Sequence, residues 1–249
     1  MPNKVRIDIE HPCIRLFDKR EYAEQFVEGR FRMSMLKCYR KMAEDDSGIG
    51  DLYEGIRMVE ASVFPSNENP ELGNTPEKVS LPLRIPEVEE SVVLCATSFR
   101  EGALESAGEV DGRHLARMSE RFSDFVDRQG NEASKVYCAV FSASEMANAL
   151  RDYAEQRGLA FICNEIEYGL LPLTEKEIKE LKQGQPAIYK FLFHKREGYS
   201  DQFEYRYAIL PKPGDDTGIL AEMLGSEEFI NVEIPPLKQY QLLEYQVGG

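Results

Sequence analysis

The chain has 249 residues, 42% hydrophobic and 30% charged, with 30 basic against 44 acidic side chains and a formal charge of −14. That is ordinary for a globular protein and enough for a sizeable core; the negative field repels nucleic acid overall and leaves room only for a local basic groove. No apolar run approaches ~18 residues, which argues against a transmembrane helix.

The first ten residues, Met1 to Glu10, run straight into an alternating pattern with no apolar signal core, so a cytoplasmic location is expected. Five scattered cysteines (Cys13, Cys38, Cys95, Cys138, Cys163) form no Cys-x-x-Cys pair and read as small core residues in a reducing compartment. The three histidines, His11, His114 and His194, stand far apart, so no metal site is expected.

In chain order, residues 4–9 and 12–17 read as short strands or one interrupted strand. Lys19 to Glu28 reads as a helix, with Tyr22, Ala23, Phe26 and Val27 on one face and Gly29 as its stop. Arg30 to Leu36 alternates as a strand: Phe31, Met33 and Met35 share one face, Arg32, Ser34 and Leu36 the other. An acidic, glycine-bearing loop follows at 44–55. Residues 64–90 carry five prolines and read as an exposed excursion or an irregular hairpin.

Ser91 to Phe99 reads as a buried strand, 100–112 as a loop and Arg113 to Arg128 as a helix. A strand at Lys135–Phe141, a helix at Ser144–Gln156 ended by Gly158, and a strand at Leu159–Tyr168 come next. Thr174-Glu-Lys-Glu177 fits a capping box that opens a helix to Gln183. Strands at 187–194 and 202–210 follow, and Phe229–Ile234 and Gln239–Tyr245 close the sheet. The order predicts one α+β domain over 1–249. Its sheet is mixed and mostly antiparallel, with flanking helices and the proline-rich excursion at about 60–90.

The segment Tyr199 to Leu210 carries the strongest chemical signal. Phe203, Tyr205, Tyr207 and Ile209 fall on one strand face, Gln202, Glu204 and Arg206 on the other. A carboxylate and a guanidinium on a buried strand must be satisfied. Either they pair with a neighbouring strand, or Glu204 stabilises a developing cation or orients a ribose hydroxyl while Arg206 meets a phosphate.

Arg32 and Ser34 make a second polar face, suited to a diphosphate or a ribose, or simply half exposed. Arg15, alone in the apolar run Cys13 to Phe17, needs an anionic partner from ligand or protein, with Glu204 the internal candidate. Tyr39 could stack on a planar ring. Tyr39-Arg40 and Asp51-x-x-Glu54-Gly55 flank the acidic loop, which otherwise supplies its own turn and ion-pair chemistry. Glu165-x-Glu167 reads as a paired-carboxylate site or as the solvated side of an edge strand. The sequence holds no dinucleotide-binding glycine fingerprint, P-loop or nucleophile elbow, and its clearest Glu-x-Lys, Glu177 to Lys179, falls in a predicted helix, against a nuclease.

Several stretches together resemble a group of uncharacterised bacterial and phage proteins over roughly residues 12–210. They are Gly29 to Arg40 with Asp51-Leu-Tyr-Glu-Gly55, Val92 to Phe99, Glu120 to Asp124, and Phe193-His-Lys-Arg196 with Tyr199 to Arg206. The lysine followed by Gln-x-Glu-x-Arg is the most specific part. More distantly the group resembles ADP-ribosyltransferase-like domains, split α+β sheets that bind NAD in a cleft. The resemblance implies Arg15 or Arg32 at the NAD phosphates or ribose, Ser34 or Tyr39 on the nicotinamide side, and Glu204 at the ribose, stabilising an oxocarbenium-like transition state. The Ser-Thr-Ser triplet is absent.

On this reading NAD is the substrate of a transferase or glycohydrolase of toxin or defence type, with a protein or nucleic-acid acceptor. Glu204→Gln is then expected to lower turnover by ~10²–10³ with the fold intact. The competing readings are a non-catalytic acidic protein that blocks or recruits a partner, and a nucleotide binder without chemistry. They part on whether Arg32, Ser34, Glu204 and Arg206 converge on one cleft.

Overall fold

An alternating segment becomes a strand when each of its two side-chain sets finds its own cover. The computed structural model of the chain describes residues 9, 11–44, 51–63, 77–99, 102–110, 113–129, 135–182, 188–212 and 218–246. The first elements are β1 (Pro12–Phe17), α1 (Arg20–Val27), β2 (Arg30–Met35), α2 (Leu36–Glu44), β3 (Arg57–Val63), β4 (Glu77–Leu83), α3 (Pro86–Glu89) and β5 (Val92–Ser98). Next come β6 (Leu104–Val110), β7 (Arg113–Met118), α4 (Glu120–Gln129), β8 (Lys135–Ser142), α5 (Ala143–Glu155), β9 (Ala160–Glu165) and β10 (Glu167–Gly169). The last are α6 (Glu175–Lys182), α7 (Ile188–Leu192), β11 (His194–Arg196), a 3-10 helix (Glu197–Gln202), β12 (Glu204–Leu210), α8 (Ile219–Leu224), β13 (Phe229–Glu233) and β14 (Tyr240–Gln246).

The architecture is α+β with a mostly antiparallel sheet. Eight strands form one sheet in the order β13-β2-β5-β1-β8-β14, with β12 also on β5 and β9 beyond β12. β12 pairs along the length of β5, from Glu204 opposite Thr97 to Ile209 opposite Val92. The other edge of β5 is shared. β2 pairs with it at Val92 and Val93, and β1 at Thr97 and Ser98. Between those registers the sheet forks.

The two faces of the sheet are covered differently. On one, Val92, Leu94 and Ala96 of β5, Tyr207 and Ile209 of β12 and Phe141 of β8 join Phe26 of α1, Met146 and Leu150 of α5 and Leu220 of α8 in one apolar core. On the other there are two cores. Ile14, Cys138 and Val140 pack with Phe122 and Val126 of α4. Val93 and Ala208 pack with Leu36 and Tyr39 of α2, Val88 of α3 and Phe191 and Leu192 of α7.

Local chemistry sets the element ends. Gly29 has φ +86°, and a Cβ there would sit 2.1 Å from the Ile234 carbonyl oxygen, so only glycine closes α1 and lets β2 leave beside β13. The Ser142 hydroxyl accepts from the Glu145 N–H at the start of α5. Thr174 and Glu177 form the expected capping box of α6.

Four predicted elements differ; the first is the Leu159–Tyr168 strand, which is β9 and β10, paired with β12 and β11 respectively. The 113–128 helix is instead β7, paired with β6 where a loop was expected, and then α4; Ser119 accepts from the Phe122 N–H and starts the helix there. The 187–194 strand is α7 followed by β11. Phe191, Leu192 and Phe193 are consecutive and all buried, which a helical turn allows and a one-sided strand does not. The 202–210 strand begins at Glu204, because Gln202 ends the 3-10 helix and Phe203 is left-handed at φ 46°. Phe203 therefore leaves the Tyr205 face and packs against Phe122, ring centres 6.5 Å apart. The strand expected at 4–9 lies almost wholly outside the described residues, as do 45–50 of the acidic loop and 64–76 of the excursion. The excursion's flanks form the β3–β4 hairpin. Among the described residues no helix is long and apolar enough to cross a membrane.

Candidate functional site

The fork opens a cavity of about 410 Å³ that lies between the two cores of the divided face and also reaches Phe17 and Ala96, which pack with the continuous core. β1 brings Arg15 to it, β2 Ser34, α2 Tyr39, β5 Cys95 and Thr97, β11 Lys195 and β12 Glu204. A forked sheet leaves backbone groups of its central strand without a ladder partner. Arg15 meets one of them: its Nη1 donates to the Cys95 carbonyl at 2.6 Å. Its guanidinium also lies 5.8 and 5.9 Å from the ring centres of Phe17 and Phe26. Asp18 and Glu204 also line the cavity, but among the described residues no carboxylate lies within ion-pair distance of Arg15.

Beneath the cavity floor lie two cations and two carboxylates, each no more than 5% exposed. Lys195 Nζ donates to Glu204 Oε2 at 2.7 Å and to Gln202 Oε1 at 2.8 Å, and lies 3.3 Å from Glu54 Oε2. Arg206 donates twice to Glu204 Oε1, from Nε at 2.8 Å and Nη2 at 2.6 Å, and lies 2.8 Å from Glu54 Oε1. Its Nη1 donates to the Leu192 carbonyl. Both Glu54 oxygens are at ion-pair range yet lack hydrogen-bond alignment. The Arg206–Glu204 contact is thus the specific one, and Glu54 completes the charge balance.

The electrostatics follow from this packing. Burial alone would raise the Glu204 carboxyl, but Arg206 and Lys195 outweigh it and hold it well below the usual carboxylate range. Burial alone would lower the Lys195 ammonium, but Glu204 and Glu54 outweigh it and raise it. Burial, with Glu204 nearby, pushes the Cys95 thiol to about 12, and burial, with Cys95 nearby, raises the Tyr39 hydroxyl well above its ordinary value. The floor therefore holds a fixed carboxylate and a fixed ammonium beside neutral thiol and phenol groups. Outside the quartet, buried Asp51 accepts from Arg196 Nε at 2.9 Å and from its own turn at the Tyr53 N–H.

Of the residues singled out in the sequence, Arg15, Ser34, Tyr39 and Glu204 line the cavity. Arg32 is exposed, its guanidinium 4.4 Å from the Phe229 ring centre, and is not among the lining residues. Arg206 is wholly buried and reaches Glu204, not the cavity. Glu165 accepts from the Ser98 hydroxyl at 3.2 Å, while Glu167 begins a different strand, so the two do not act as a pair. Glu54 was visible only as part of a loop motif and Lys195 only as the lysine ahead of Gln-x-Glu-x-Arg; the contact between them, 141 positions apart, has no local sequence signal. Among the described residues no cluster of His, Cys, Asp or Glu is arranged to hold a metal ion.

The expectation that Glu204→Gln leaves the fold intact does not fit this geometry. Neutralising Glu204 leaves two buried cations facing one carboxylate, and such a loss is strongly destabilising. The chain matches no family model, no curated protein and no solved structure.

Proposed function

We propose that the cavity at the fork binds NAD and that the chain is an ADP-ribosyltransferase-like enzyme acting through Glu204. Arg15 is the observation that carries this reading. It is a half-buried guanidinium on the cavity wall with no carboxylate of the described residues at ion-pair distance, which suits an anionic ligand group such as a diphosphate. Of the four residues whose convergence separates the readings, Ser34 and Glu204 line the cavity and Arg32 and Arg206 do not; Arg15 joins the first two from a third strand.

On this reading Arg15 holds the diphosphate and Tyr39 and Phe125 offer ring faces to the planar groups. The Glu204 carboxylate is a fixed negative charge for the ribosyl cation that develops as the glycosidic bond breaks. That bond's electron pair returns to nicotinamide, whose ring loses its positive charge. Water or an acceptor hydroxyl then adds to the sugar carbon and releases its proton. Lys195 and Arg206 keep the carboxylate ionised and aimed.

One observation favours a second reading, a nucleotide sensor without turnover. Both Glu204 oxygens are already engaged, Oε1 by Arg206 and Oε2 by Lys195. Calorimetry with NAD, alongside nicotinamide release, separates the two. Arg15→Gln should weaken NAD binding about tenfold or more, as loss of a charge-assisted contact does. Glu204→Asp keeps the charge but draws it back, and should cut release by ~10²–10³ while the protein still melts cooperatively. Binding without release in the wild type would establish the sensor. No binding at millimolar NAD would reject both.

A further inference from the structure

A second cavity, of about 750 Å³, adjoins the first. Phe125 of α4 lines both. The segment that begins at β11 and runs through the 3-10 helix is the partition. Lys195 and Gln202 face the first cavity, while Arg196, Tyr199 and Asp201 face the second.

The second cavity carries no excess positive charge, since Arg128 and Arg196 line it together with Glu197 and Asp201. Arg128 pairs with Asp201, and Arg196 pairs with the buried Asp51 at 2.7 Å. The Arg196 guanidinium centre lies 5.0 Å from the Tyr53 ring centre and 5.3 Å from that of Tyr199, and its Nη2 donates to the Tyr199 hydroxyl at 3.2 Å. Asp51 takes the Nε and Nη2 edge, and among the described residues the Nη1 amino group has no hydrogen-bond partner. The leucine at the cavity wall, Leu170, is 81% exposed, so apolar surface stands in water at a cavity with aromatic walls.

A site with ring faces, hydrogen-bonding groups and no excess positive charge suits a neutral heterocycle better than a phosphate. Arg15, which has no ion-pair partner among the described residues, lies in the other compartment. We propose that the second cavity is the subsite for the purine nucleoside end of the ligand, with Tyr199 and Phe125 as its stacking platform and Arg196 as a hydrogen-bond donor to the base or ribose. This rests on the reading of the fork as the nicotinamide and diphosphate site. Together the two compartments match a ligand with two ring-bearing halves joined by phosphates.

The test is calorimetry of the full chain with NAD, AMP and nicotinamide mononucleotide, on the wild type, Tyr199→Ala and Tyr199→Phe. Tyr199 is half-buried in the 3-10 helix, and melting curves verify that its variants fold. Tyr199→Ala should weaken NAD and AMP about tenfold or more, the usual loss for a stacking aromatic, and leave nicotinamide mononucleotide unchanged. Tyr199→Phe should restore most of the loss. An equal loss for nicotinamide mononucleotide, or none for AMP, would overturn the assignment. AMP binding that depends on Tyr199, with no binding of nicotinamide mononucleotide, would keep the subsite and reject the NAD reading of the fork. A wild type that binds none of the three would end both.

Discussion

The two faces of the sheet are built from the same strands and behave oppositely. Along β12, Tyr205, Tyr207 and Ile209 enter one continuous apolar core, while Glu204 and Arg206 enter a seam between two smaller ones. The continuous face derives its stability from contacts that are individually weak and non-directional. The divided face depends on a few charges whose partners must all be present. A fold can thus spend one face on cohesion and leave the other to hold a cavity open.

The largest effects should come from unbalancing the seam. Arg206→Ala leaves Glu54 and Glu204 buried against Lys195 alone and should cost about 3–5 kcal/mol in urea unfolding. Replacing Glu54 and Arg206 together by Leu and Met keeps Lys195 with Glu204 and should recover much of that loss. Leu94→Ala, on the continuous face, should cost about 3 kcal/mol through its cavity. Its effect on ligand affinity should be nil. If Leu94→Ala and the double replacement weakened NAD binding equally, the two faces would not be functionally distinct.

The same division explains what the sequence disclosed. Alternation marked β2 and the body of β12, because one strand face there is apolar throughout, and the apolar run at Ser91 to Phe99 marked β5 as buried on both faces. It also marked Glu204 and Arg206 as needing partners. The partners themselves come from Glu54 and Lys195, brought together by tertiary packing that no period or spacing encodes. Errors cluster where local signals compete. Leu115, Met118, Phe122 and Phe125 are spaced like a helix face, yet Ser119 caps the chain midway and the first two belong to a hairpin. Arg32 and Arg15 looked equivalent on paper. The fork separates them, since β1 runs along its open edge while the Arg32 side chain lies over Phe229 of the outer strand β13.

A pH series sharpens the comparison with a smaller effect. Burial, with Arg57 nearby, lowers the His194 imidazole to about 4, although its hydrogen bond to the Leu170 carbonyl works the other way. Its unfolded value is about 6.5, so the unfolded chain binds more protons between the two. Stability should fall as pH drops from about 6.5 towards 4. The depressed Glu204 acts lower. Its contribution is present above the unfolded carboxyl value of about 4.3 and is lost as pH falls through the folded value. Melting temperatures of His194→Gln should therefore slope less with pH above about 5, and match the wild-type slope below about 4. An unchanged slope above pH 5 would place the imidazole in solvent.

The smallest effect belongs to α6, which buries no residue on either face. Thr174 donates to Glu177 Oε2 at 2.8 Å and accepts from the Glu177 N–H at 3.2 Å. Thr174→Ala removes only that cap and should cost about 1 kcal/mol. Glu177 has a second task, since it lies 3.3 Å from the guanidinium of Arg57, which is 4% exposed and otherwise held by the Leu171, Lys190 and Pro172 carbonyls. Glu177→Gln should therefore cost more than Thr174→Ala in urea unfolding, because it strips a carboxylate from a buried cation as well as weakening the cap. Equal costs would mean that the three carbonyls satisfy Arg57 by themselves, and that the need for balanced charge on the divided face is confined to the seam around Glu204.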